Sequence, residues 1–292
     1  MDINFNCPEF YYGIDVYDRL LELQELEPQA FYPEAKVKYV YGALPGMIWN
    51  GGGFMGGMPE HNIDYLCAVR EFYEKNNIIL RFTLTNPNLE ETDVYDRQCN
   101  EMLKLFDNGM NEIIVNSPIL EKYLRDKFPN YKLTKSITAA KEDYDFVKAL
   151  DIYESVVIPR RKNRDWDFLN SVPENKRNRI EILVDETCPI DCPRLYTHYN
   201  IFSKMNLFQA FNDKERSCTT IKNNDSMFPE IGNKDMIYMD EIIDKYLPLG
   251  FNNIKLSGRN SADHCAKALA QYFFKPEYKL AGFCYILDVG RN

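Results

Sequence analysis

The feature that most limits what this chain can fold into is a serial alternation of short apolar runs with helical stretches. Residues 37–41, 78–84, 112–116, 131–136, 153–158, 181–184 and 252–256 each read as a β-strand, rich in Val, Ile, Leu and Tyr. Helical patterns follow over 62–75, 91–106, 117–127, 141–150, 166–170 and 261–273. Ser117-Pro118 marks one helix start, with a capping hydroxyl ahead of a proline whose φ suits the first turn. No hairpin signal separates the runs, and serial βα units build parallel sheets. An eighth strand is expected between Cys218 and Tyr238, although no strong β-run stands there. The units predict a closed (β/α)8 TIM-type barrel with one degraded unit. Residues 1–35 and 276–292 read as short N- and C-terminal extensions. The alternative is an open doubly wound sheet. No linker rich in Pro, Gly or Ser divides the 292 residues, so a single barrel domain over 1–292 is expected, with its core at about 37–275. A barrel of this type needs about 250 residues.

Charge and composition remove several classes of function. The formal net charge of -9 disfavours nonspecific nucleic-acid binding. The one basic patch, Arg160-Arg-Lys-Asn-Arg164, reads first as a solvated loop. No run of about 18 apolar residues exists, so no membrane span is expected. The first residues lack the basic-then-apolar pattern of a signal peptide, so a cytoplasmic location is expected. Eight cysteines in such a setting point to free thiols or to metal ligands.

In a barrel the residues just past each strand gather on one face and carry the chemistry. Here they include Asn116 and Ser117, Ser136 and Thr138, Arg160 and Arg161, Asp185 and Glu186, and Ser257 and Arg259. The sharpest group is Cys188-x-x-x-Cys192, just past the 181–184 strand, with His198 and Cys218 as further donors. Thiolate-rich sites suit zinc or an iron–sulfur cluster. The spacing is not that of a Cys-x-x-Cys zinc or thioredoxin-like pair. Leu195 stands where a radical-SAM motif would need its third cysteine. Two unliganded thiols, or Cys192 as a nucleophile with His198 as its base, remain as alternatives. Arg259, after Gly258, is placed to offer its fork of donors to a carboxylate or phosphate at the strand-end face. Residues 42–57 hold seven glycines but no phosphate-loop or dinucleotide pattern. They are expected to form a mobile cover over the same face.

Three stretches, in order, resemble the U32 peptidase-like family. They are Asn116 to Ser136 with its Phe128-Pro129, Ile182 to Cys192, and Leu249 to Arg259. Together with the last helix the resemblance spans roughly residues 110–275. It implies a barrel, often with a cysteine-bound [4Fe-4S] cluster, and activities in collagen-type proteolysis, RNA base hydroxylation or oxygen-independent quinone hydroxylation. It would place Cys188 and Cys192 in the first cysteine region and Cys218 in a later one, with His198 or a further cysteine completing the set. Zinc is the alternative metal. Ser257 stands where the family signature has Glu.

The expected function is therefore a metal-bearing barrel enzyme acting on a nucleic-acid base or small aromatic substrate. Asp185, Glu186 and Arg259 are the catalytic candidates. Asn116, Ser136, Thr138 and Arg259 are the substrate-binding candidates. A peptidase-like hydrolase is one alternative, although no Gly-x-Ser-x-Gly or His-Glu-x-x-His motif is present. The other is a metal-stabilised barrel that binds a partner protein without chemistry.

Overall fold

A computed structural model describes residues 1–54, 62–136, 144–186, 188–190, 192–210, 214, 235–258 and 261–288. Eight strands close into a parallel barrel in sequence order. They are β1 (Ile3–Pro8), β2 (Ala35–Gly42), β3 (Ile79–Leu84), β4 (Glu112–Val115), β5 (Lys132–Lys135), β6 (Ser155–Val157), β7 (Ile180–Leu183) and β8 (Asn253–Lys255). The expected closed barrel is what the chain forms.

Two expectations need correction. The eighth strand does not lie between Cys218 and Tyr238, because β7 pairs directly with β8. The missing strand is β1, within the segment read as an extension, so the barrel core begins at Ile3 and not near residue 37. Asn4 and Asn6 pair with Asn253 and Lys255 of β8, and Ile3 pairs with Ala35 of β2. The run Ile-Asn-Phe-Asn-Cys-Pro alternates with period two, but its inward positions are asparagines, which disguises it as a polar segment. Its outward Phe5 lies 4.9 Å, centroid to centroid, from Phe273 on the helix Ala262–Phe273. That ring pair docks the strand onto the outer helical layer.

The other strands follow the same division. Phe82 of β3 faces outward, 5.3 Å from Phe106 and 5.2 Å from Phe10. Helices begin where side chains satisfy the open N–H groups of the first turn. Asn62 caps Ile63–Lys75, Asp96 caps Arg97–Leu105, Ser117 caps Pro118–Lys127 and Ser261 caps Ala262–Phe273. Asp96 explains why the third helix starts at Arg97 rather than near residue 91. Arg19 ties the helix Ile14–Leu26 to the C-terminal helix Lys279–Ile286, donating to the Ile286 carbonyl at 3.0 Å. Among the described residues no helix is long and apolar enough to cross a membrane.

Candidate functional site

The barrel interior is not the usual stack of branched aliphatic side chains. Arg81 of β3, fully buried, donates from Nε to Glu112 Oε2 at 2.8 Å and from Nη1 to Glu181 Oε1. Asn6 donates to Glu181 Oε2 at 2.9 Å, and Ser155 Oγ donates to Glu181 Oε1 at 2.7 Å. Thr134 and Ser155 share a hydroxyl hydrogen bond of 2.8 Å. The Tyr39 ring lies under the Arg81 guanidinium at 3.4 Å, a cation–π contact. β3 and β7 are not neighbours in the barrel, so the Arg81–Glu181 pair spans its interior.

Burial works against charge here, and the pairing decides who keeps it. Burial pushes Glu181 up, but Arg81 and Lys255 outweigh it and hold the carboxyl below its ordinary range. Burial wins at Glu112, whose carboxyl is raised despite Arg81. A sealed ion group of this kind is a rigid floor rather than a reactive surface.

The candidate site lies above it, past the C-terminal ends of β6, β7 and β8. Asp185 is 8% exposed and accepts the Ser257 backbone N–H at Oδ1, 2.6 Å away. The Ser257 hydroxyl returns a hydrogen bond to the Asp185 carbonyl at 3.1 Å. Burial pushes the Asp185 carboxyl up to about 7, with Glu186 adding repulsion and the Ser257 contacts pulling the other way. A carboxyl that titrates near neutrality can both take and give a proton at working pH. Lys255 lies between floor and mouth. Its Nζ is 3.7 Å from the centroid of the Tyr41 ring, and the Tyr41 hydroxyl donates to the Leu256 carbonyl at 2.7 Å. Burial pushes the thiol of Cys7, in the adjoining strand β1, well above its ordinary range.

Arg160, from the loop after β6, joins this mouth by donating Nη1 to the Glu186 carbonyl at 3.2 Å. Asn163 donates to the Leu183 carbonyl at 2.7 Å. Behind them Ile237 donates its N–H to the Val184 carbonyl at 2.9 Å, laying a further segment along the end of β7.

The residues expected from sequence fare unevenly. Asp185 and Glu186 stand at the mouth. Ser136 is buried just past β5, its N–H on the Val115 carbonyl at 3.0 Å, and Asn116 is half-buried just past β4. Thr138, Cys218 and Arg259 lie outside the described residues. Cys188 is half-buried and Cys192 buried, and the Cys192 N–H donates to the carbonyl of Pro189, the residue after Cys188, at 3.1 Å. His198 sits in the first turn of the helix Leu195–Asn206. Among the described residues no three His, Cys, Asp or Glu side chains gather as a metal ion requires. The part of the glycine-rich loop that is described is packed rather than poised to close. Met47 and Trp49 are core residues, and Trp49 Nε1 donates to the Asp93 carbonyl at 2.7 Å. Residues 55–57 of that loop lie outside the described residues.

Sequence reasoning missed Arg81, Glu112, Glu181 and Lys255. The signal was present: a charge inside an otherwise apolar barrel strand must find a partner inside the barrel.

No family model matches the chain, and no curated protein matches it. Among solved structures the chain is similar to the U32 peptidase Mk0906, at 12% identity over 77% of this chain and 85% of that one, with a TM-score of 0.41. It is also similar to a GH113 beta-1,4-mannanase, at 13% identity over 98% of both chains, with a TM-score of 0.38. By its own strand pairing the chain is a closed, eight-stranded parallel α/β barrel.

Proposed function

We propose that this barrel is an enzyme that moves protons on a small polar molecule held at the C-terminal mouth, with Asp185 as the acid–base group. The observation that carries the reading is a buried carboxyl titrating near 7 at a barrel strand end, held in place by Ser257. Structural carboxylates usually sit in ion pairs that lower their pKa, as Glu181 does. Asp185 is instead kept neutral enough to donate and basic enough to accept. Lys255, two residues before Ser257 in the chain, is the cation we assign to an oxygen that gains charge during the reaction. The substrate class we favour is a nucleic-acid base or small aromatic compound, whose ring nitrogens and carbonyl oxygens are groups that such a carboxyl can protonate or deprotonate. The test is a carbon-13 NMR titration of the Asp185 carboxyl, with a binding screen of nucleobases, nucleosides and phenols. A midpoint near 4, or turnover of a screened substrate that survives Asp185→Asn, would defeat the reading.

A second proposal concerns a metal. Cys188, Cys192 and Cys218, with His198 or a further cysteine, would hold a [4Fe-4S] cluster, or zinc in its place. The hydrogen bond from Cys192 back to Pro189, which folds the chain back just after Cys188, supports it. The described residues supply only part of that ligand set, so no reaction step is drawn through it. Anaerobic purification followed by an absorption spectrum and iron and zinc analysis tests the proposal. Metal content that Cys188→Ala and Cys192→Ala leave unchanged would refute it.

A further inference from the structure

The chain leaving β7 crosses the barrel before it joins the outer layer. That layer, just ahead of β8, is filled by residues 239–246. Met239, Ile242 and Tyr246 are buried there, and the Tyr246 hydroxyl donates to the Asn163 carbonyl at 2.7 Å. The helix Leu195–Asn206 comes earlier in the chain and lands elsewhere. Asn86 Nδ2 donates to its Ser203 carbonyl at 3.1 Å, and Asn88 Nδ2 to its Asn200 carbonyl at 3.4 Å. Its own Asn206 Nδ2 donates to the carbonyls of Asn50 and Gly53, at 2.9 and 3.0 Å. Those partners stand in the loops after β2 and β3, and β3 lies opposite β7 in the closed barrel.

The two loops make one firm seat. Asn86 also donates to the Ile48 carbonyl at 2.8 Å, and its N–H meets the Trp49 carbonyl at 3.1 Å. Thr83 Oγ1 donates to Asn50 Oδ1 at 3.1 Å. Gly51 lies so close to the end of β3 that a β-carbon there would meet the Thr85 carbonyl at 2.5 Å. The helix on this seat is held differently from the rest of the outer layer. Of its twelve residues only Ile201, Ser203 and Asn206 are buried, whereas Ala262–Phe273, of the same length, buries eight. Ile201 is the one apolar residue of the three, and it does not join the main core. A segment that buries so little apolar surface opens at lower cost than the core. Water can also take over each hydrogen bond that an asparagine releases.

We propose that the helix Leu195–Asn206 is a lid over the C-terminal mouth of the barrel. Closed, it is latched through Asn86, Asn88 and Asn206. Open, it uncovers the strand ends that carry Asp185 and Ser257. The glycine-rich loop is then the seat of the lid and not the lid itself. Closure of this kind shields a barrel mouth from water, and release of the latch admits and discharges the molecule held there. The inference concerns access alone and stands whether or not Asp185 does chemistry.

The test uses the full chain without ligand and reads opening and access separately. Hydrogen exchange followed by mass spectrometry should show the amides of Leu195–Asn206 exchanging about tenfold faster than those of Ala262–Phe273, or more. Access is read by labelling the Asp185 carboxyl with a water-soluble carbodiimide and glycine amide, quantified on its peptide. Labelling reports exposure, so it is informative even if the carboxyl proves to titrate in the ordinary range. Asn206→Ala removes two latch hydrogen bonds and should speed labelling about tenfold. If that variant does not fold, Asn88→Ala removes one and should speed labelling about threefold. Asn88→Cys with Asn200→Cys ties the latch by a disulfide, and labelling should fall about tenfold and return on reduction. Asn130→Ala breaks an exposed contact to Asp107 ahead of β5, at the other end of the barrel, and should change nothing. Three results would each overturn the proposal. They are exchange in Leu195–Asn206 as slow as in Ala262–Phe273, labelling that the latch variants leave unchanged, and equal labelling of the disulfide-tied and reduced forms.

Discussion

Ser257 holds Asp185 by its backbone N–H, 2.6 Å from Oδ1, and the contact crosses from β8 to β7 at the barrel mouth. Ser257 lowers the Asp185 carboxyl but does not offset its burial, so the group rests near neutrality. The mouth is therefore built on a carboxyl that the fold disfavours in its charged form.

Asp185→Asn should abolish the proposed activity while stabilising the protein above pH 7. The folded carboxyl titrates at about 7 against an ordinary 3.8. Its contribution to stability is greatest below pH 3.8, declines as pH rises, and is gone above about 7, a span of at most roughly 4 kcal/mol. Urea unfolding of both proteins between pH 4 and 8 checks this. The substitution should remove that part of the decline.

Ser257→Ala removes the hydroxyl and keeps the backbone donor. Both Ser257 contacts lower the Asp185 carboxyl, so losing one should move its titration further above 7. The NMR midpoint should rise by a few tenths of a pH unit or more, and the matching limb of an activity–pH profile should move with it. An unchanged midpoint would show that the amide alone sets the site.

Arg81→Met leaves Glu112 buried without its cation and Glu181 with Lys255 alone. Breaking a buried ion group by removing one member typically costs about 3–5 kcal/mol. Denaturant titration of the variant should show a loss of that size. Adding Glu181→Gln and Glu112→Gln should recover much of it, because the uncompensated charges then disappear. No recovery would mean that packing, not charge, holds the floor.

Gly258→Ala should strain the exit from β8. Gly258 has φ of 117°, and a β-carbon there would meet the His264 carbonyl oxygen at 2.9 Å. A cost of about 1–3 kcal/mol is expected from thermal unfolding. Because Ser257 precedes this residue, the Asp185 midpoint should also shift, which separates a local effect from general destabilisation.

Sequence alone was enough to determine a parallel α/β architecture, with a closed barrel favoured over an open sheet. The runs containing β2 to β8 are short, apolar and separated by helical patterns, and that local chemistry admits little besides a parallel sheet wrapped in helices. Asp185 and Glu186 were also legible, because residues just past a buried strand must emerge at a barrel face. β1 was not legible, since Asn4 and Asn6 look like surface residues until a polar interior exists to receive them. Nor was the meeting of Arg160 with Glu186, or of Arg81 with Glu181, which lies across the barrel. Those partners are distant in the chain, and only closure of the barrel brings them together. The perturbed state of Asp185 belongs to the tertiary structure for the same reason. Its pKa is set by how much water the surrounding strands exclude, and no stretch of local sequence carries that quantity.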